Sequence, residues 1–98
     1  MPLNVYGIPT ITSGRKVVTT AARLVAVNTP CKLPIITAET DNTGIIAVGG
    51  STVVAAEGTQ QGNLLLAGES ITLPIDDVYD VYIAASVSGD GVSFNYFV

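Results

Sequence analysis

The sequence predicts an all-β protein: a single small antiparallel β-sandwich, jelly-roll-like, with an extended N-terminal arm. Three observations predict it. Apolar residues alternate with polar ones over the last third, Leu64 to Val98, and a period of two marks strands with one face inward. Turn residues recur about every eight to twelve positions, the spacing of sandwich and jelly-roll chains. No stretch carries a helical period, because Gly or Pro interrupts most windows of helical length. A small closed barrel is the alternative all-β reading.

Taken in order, residues 1 to 14, MPLNVYGIPTITSG, stand apart as the arm, and residues 15 to 98 form the domain. Pro2 and Pro9 remove backbone donors and hold their predecessors extended. Leu3, Val5, Tyr6, Ile8 and Ile11 are too many apolar residues for a disordered tail. The arm is expected to lie on its own domain or on a neighbouring subunit; a first strand with an irregular entry is the other reading. Arg15 to Thr20 is the first expected strand, rich in β-branched residues. Ala22 to Val27 is the second, closed by the turn Asn28-Thr29-Pro30. Cys31 to Ala38 follows, and Pro34 inside it implies an edge or a bulge.

Gly44 to Val48 is the fourth strand, ended by Gly49-Gly50, and Ser51 to Ala56 is a short apolar run. Glu57 to Asn63 reads as a loop. Leu64 to Leu66 leads into the turn Ala67-Gly68-Glu69, then Ser70 to Ile75 and Val78 to Ser86 read as strands broken by Asp76-Asp77. Ser88-Gly89-Asp90-Gly91 is a hairpin turn before the last strand, Val92 to Val98. Both Phe residues and three of the four Tyr fall in this last third, so most of the core volume is expected here.

Composition bounds the function. Hydrophobic residues make up 48% of the 98-residue chain and charged residues 12%, against roughly 25% charged in ordinary soluble domains. Neutral polar surface, or apolar surface covered by a partner, must make up the deficit. A domain of this size buries only about two-thirds of its unfolded surface, so self-association is a sensible route to stability. No apolar run reaches the roughly 20 residues of a membrane span, and the start lacks the basic leader and long apolar segment of a signal peptide. The single cysteine, Cys31, forms no internal disulfide and reads as a small buried apolar residue; it suggests synthesis in a reducing compartment or simple indifference to redox.

Net charge is −4, with all four cations (Arg15, Lys16, Arg23, Lys32) in the first third and all eight carboxylates from Glu39 onward. That balance argues against a nucleic-acid grip, which needs a dense basic stripe. There is no histidine, which removes the commonest general base and metal ligand together. No phosphate-binding glycine motif stands between a strand and a helix. An enzyme is not expected, and no cofactor is implied.

The acidic set Glu69, Asp76, Asp77 and Asp80 is the one constellation with chemical reach. Paired carboxylates can hydrolyse glycosides across a cleft, and four such side chains can contribute to a Ca²⁺ site. Adjacent Asp76 and Asp77 sit at a strand end, so turn-capping or solvated acids are the favoured reading. Tyr79, Tyr82 and Tyr96 offer either a sugar-stacking face or core-edge and subunit contacts, the latter favoured.

Three words carry a resemblance: NTGIIAVGGSTV (Asn42 to Val53), LLAGESITLPIDDVYDVYI (Leu65 to Ile83) and SGDGVSFNYF (Ser88 to Phe97). They resemble a family of small tailed-bacteriophage virion proteins with an Asn-Thr-Gly turn, a strand ending in Val-Gly-Gly and a Gly-Asp-Gly hairpin. The likeness covers roughly residues 15 to 98 and does not extend to the arm. It implies a jelly-roll-like domain acting as a capsid cement or decoration protein. Its partners would be the major capsid protein and itself, as a homotrimer rather than a homodimer. It would be made in the host bacterial cytoplasm and end on the capsid surface. Leu3, Val5, Tyr6, Ile8, Ile11, Arg15, Tyr82 and Tyr96 are the partner-binding candidates. A receptor- or carbohydrate-binding module of a phage tail or fibre is the alternative.

Overall fold

The computed structural model describes residues 10–98; Leu3, Val5, Tyr6 and Ile8 of the expected arm lie outside that range. Eight strands follow in chain order: β1 (Ile11–Val17), β2 (Ala21–Arg23), β3 (Lys32–Ala38), β4 (Ile46–Gly49), β5 (Asn63–Leu65), β6 (Ser70–Thr72), β7 (Tyr82–Ala85) and β8 (Gly91–Phe97). Among the described residues a 3₁₀ turn, Val78–Asp80, precedes β7. The strands form two antiparallel four-stranded sheets, ordered β1-β8-β3-β6 and β2-β7-β4-β5. Strands pair from the outside in: first with eighth, second with seventh, third with sixth, fourth with fifth.

One core joins the sheets. Ile36, Ala38, Val92 and Phe94 from the first sheet meet Ile46, Val48, Leu65 and Ile83 from the second. Each large aliphatic side chain fully buried here contributes roughly 1.5–3 kcal/mol of transfer free energy. The alternation in β8 fulfils its sequence pattern: Val92 and Phe94 are buried while Ser93 and Asn95 are exposed. β7 departs from it. Ile83 is buried in the main core, but Ala84, on the opposite face, is buried too. The segment after β4 folds back over that face and sets Val53 and Ala55 against Ala47 and Ala84. Its apolar run is thus a cover held by the Val54–Gln61 bridge, with bonds of 3.0 and 2.8 Å, and not a ladder strand.

Other boundaries also differ from expectation. β1 begins at Ile11, so residues 11–14 of the expected arm are strand, in unbroken register with β8 from Ile11–Phe97 to Val17–Gly91. Pairing with a strand already fixed in the core overrides the punctuating effect of Gly14. β2 stops at Arg23, and Leu24 adds one further bond to Val81 at 2.9 Å. The run from Val78 opens as a 3₁₀ turn because the Asp77 carboxylate accepts from the Tyr79 N–H at 2.8 Å. Pro34 marks a bulge, not an edge: β3 lies between β8 and β6, and its register with β8 shifts between Lys32 and Ile35. The shift leaves Leu33 at φ 44, an uncommon conformation for a branched aliphatic residue. No described helix is long and apolar enough to cross a membrane.

Candidate interaction surface

The outer face of the first sheet is built by residues of one parity. Cross-strand register aligns Arg15, Ser93, Thr37 and Ser70 in one row, and Ser13, Asn95, Ile35 and Thr72 in the next. These side chains are mostly hydroxyls and amides, and the Ser13 hydroxyl donates to the Asn95 carboxamide oxygen. Arg15 is the one cation in these rows, and Glu39 neutralises it. The guanidinium donates from Nε and from Nη2, the latter at 3.0 Å. That bonding and the carboxylate charge raise the Arg15 pKa above its ordinary value.

At one end this neutral plate meets an apolar lip. Ile11, 63% exposed, stands opposite half-buried Phe97. Val98 is exposed beside them and exchanges 3.0 Å backbone bonds with Thr10. Leu33, pushed out by the bulge, is 53% exposed. It borders an open cleft of about 630 Å³ shared with Lys32, Ile75, Asp76 and Asp80.

The sequence candidates separate on this scaffold. Ile11 and Arg15 share the outer plate. Tyr96 belongs to the same sheet but packs against the core, its ring stacked on Phe94 at 6.1 Å between centroids. Tyr82 lies on the other sheet, packed against the small cluster of Ala47, Val53, Ala55 and Ala84. The Arg23 guanidinium sits 4.6 Å from the Tyr82 ring and 3.9 Å from the Tyr79 ring, and donates to the Tyr79 carbonyl at 2.7 Å. Tyr82 and Tyr96 therefore do not share a platform. Sequence reasoning missed Leu33, Phe97 and Val98; Pro34 signalled the irregularity that exposes Leu33.

The acidic set is dispersed: Asp77 and Glu69 cap backbone N–H groups, and Asp76 and Asp80 are exposed. Asp77 accepts from the Thr29 and Tyr79 N–H groups, both at 2.8 Å, and Glu69 from the Leu66 N–H at 2.7 Å. Among the described residues, no three Cys, Asp or Glu side chains gather as a metal site. Cys31 is buried in the main core, and burial pushes its thiol pKa up.

Two of the resemblance words meet in space. Asp90, 7% exposed, accepts from the N–H groups of Thr43 and Gly44 at 3.1 and 2.8 Å. Asn42 brackets Gly91 through both amide atoms, donating to its carbonyl at 2.9 Å and accepting from its N–H at 3.0 Å. Gly44 is required there: a Cβ would come within 2.2 Å of Ser86 Oγ. These words are joints of the scaffold. The chain significantly matches no known family model, curated protein or solved structure.

Proposed function

We propose that the chain is a structural protein of a tailed-bacteriophage particle, a cement or decoration protein that binds the outer capsid shell as an oligomer. The strand order supports a jelly-roll β-sandwich, because pairing from the outside in is what a long folded-over ribbon gives when rolled into two sheets. The observation that carries the reading is the neutral plate with its apolar lip. Depletion of charge and an apolar anchor are features of protein contact surfaces; here Arg15 is neutralised by Glu39, and Lys32, opposite Phe97 at the lip, is the exposed cation that borders it.

The partners proposed are the major capsid protein and further copies of this chain, a homotrimer in keeping with the resemblance. Binding many copies to the assembled shell stabilises that state over separated capsomers, as any ligand of a native state does. In this reading residues 1–9 contribute to binding the shell. The test is removal of residues 1–9 alone, since residues 11–14 belong to β1. The truncated chain is expected to keep its β circular dichroism and lose most of its sedimentation with expanded shells. Undiminished sedimentation would remove the arm from the account.

A further inference from the structure

We propose that β1 is a self-recognition edge: two copies of the chain join antiparallel through β1 about a two-fold axis at Gly14. The inference rests on the edge itself and not on the particle reading.

Four strands end the two sheets, and β1 differs from the other three. β2, β5 and β6 have three residues each, whereas β1 has seven. Proteins guard long edges with proline, bulges, shortness or charged side chains; of these β1 has only charge, in Arg15, which is bound to Glu39, and Lys16. β1 contains no proline, and its register with β8 is unbroken.

The parity of its hydrogen bonds is fixed. Thr10 exchanges bonds of 3.0 Å with Val98, and the Val18 N–H reaches the Asp90 carbonyl at 3.1 Å. Even-numbered residues therefore face β8, and antiparallel alternation turns the N–H and C=O groups of Ile11, Ser13, Arg15 and Val17 outward. Among the described residues nothing pairs with them.

A second β1 must present the same odd residues, which leaves three central registers. An axis at Arg15 sets the two arginines opposite each other, and like charges directly across are unfavourable. An axis at Ser13 puts Ile11 opposite Arg15 and leaves Val17 unpaired. An axis at Gly14 pairs Ile11 of one copy with Val17 of the other, and Ser13 with Arg15, engaging every free group. Ile11 and Val17 are 63% and 42% exposed and lie on the same face, so this register also covers two apolar side chains per end pair. Each Arg15 brings its own Glu39. The contact is isologous and yields a continuous eight-stranded sheet. In a trimeric assembly it links trimers in pairs.

The test uses the full chain, with mass by light scattering and amide exchange by NMR. The proposal expects a mass of an even number of chains, and slow exchange at Arg15 and Val17 although these amides point away from β8. Ser13→Pro removes an outward N–H and no backbone bond to β8, although the side-chain bond from the Ser13 hydroxyl to Asn95 is lost with it. It is expected to halve the mass and speed exchange at Arg15 and Val17 at least tenfold. Ile11→Lys/Val17→Lys is expected to do the same through the apolar ends, should the proline variant not fold. A monomer with protected Arg15 and Val17 amides would overturn the proposal in favour of residues 1–9 covering the edge. An unchanged mass in a folded variant would place association on another surface and overturn it too.

Discussion

Gly14 lies beneath the ring of its cross-strand partner Phe94: a Cβ at position 14 would come within 2.5 Å of the Phe94 Cζ. The expected arm ends at this glycine, whereas the structure uses it as the floor of an aromatic site within β1. Gly14→Ala is expected to lower stability by about 1–3 kcal/mol, the usual cost of overpacking. Phe94→Leu in the same chain should recover part of that loss, because the clash is with the ring. Urea midpoints of the two single variants and the double variant check the coupling; additive effects would contradict it.

Asp90 closes the joint between the turn before β4 and the hairpin before β8. Asp90→Ala leaves two backbone N–H groups without an acceptor and is expected to cost about 1–3 kcal/mol. Asp90→Asn keeps one acceptor oxygen and should fall between the two. Thermal denaturation orders the three proteins, and an unaffected alanine variant would remove the joint's energetic role.

The stack of Arg23 over Tyr79 and Tyr82 depends on a planar cation. Arg23→Ala is expected to cost about 1–2 kcal/mol through the lost ring contacts and the bond to the Tyr79 carbonyl. Arg23→Lys should restore little, since an ammonium lacks the planar fork. Chemical denaturation followed by tyrosine fluorescence measures both; full recovery in the lysine variant would show that charge alone matters.

Leu33 combines a left-handed backbone with exposure, a pairing that costs roughly 1–2 kcal/mol for an ordinary residue. Leu33→Asn tolerates that φ and is expected to leave stability unchanged or raise it by up to about 1 kcal/mol. Binding to shells should weaken several-fold if the strain serves to display this side chain. A destabilised variant with full binding would make Leu33 a packing residue only.

The contrast between legible and illegible parts follows the range of the interactions involved. Ser93, Asn95 and their buried neighbours Val92 and Phe94 were legible because alternation is local. Pro34 announced a break in pairing, although not which of its two forms. The burial of Ala84 was not legible because its cover comes from Val53 and Ala55, some thirty positions back along the chain. The tyrosines were harder: residue type does not tell that Tyr96 turns to the core and Tyr82 sits under Arg23. Those facts follow from register, Thr12 with Tyr96 and Arg23 with Tyr82, which only the assembled sheets specify. Of the acids, Asp77 and Glu69 cap backbone N–H groups as the turn context suggested, but one partner of Asp77, Thr29, is nonlocal.

The most direct test of the capsid proposal is quantitative sedimentation of the intact chain with expanded capsid shells of a tailed phage, with unexpanded shells as the comparison. The account predicts saturable binding to the expanded shells, little to the unexpanded ones, and a higher temperature of shell disruption at saturation. Absence of binding to either shell, or saturation without any rise in that temperature, would contradict it.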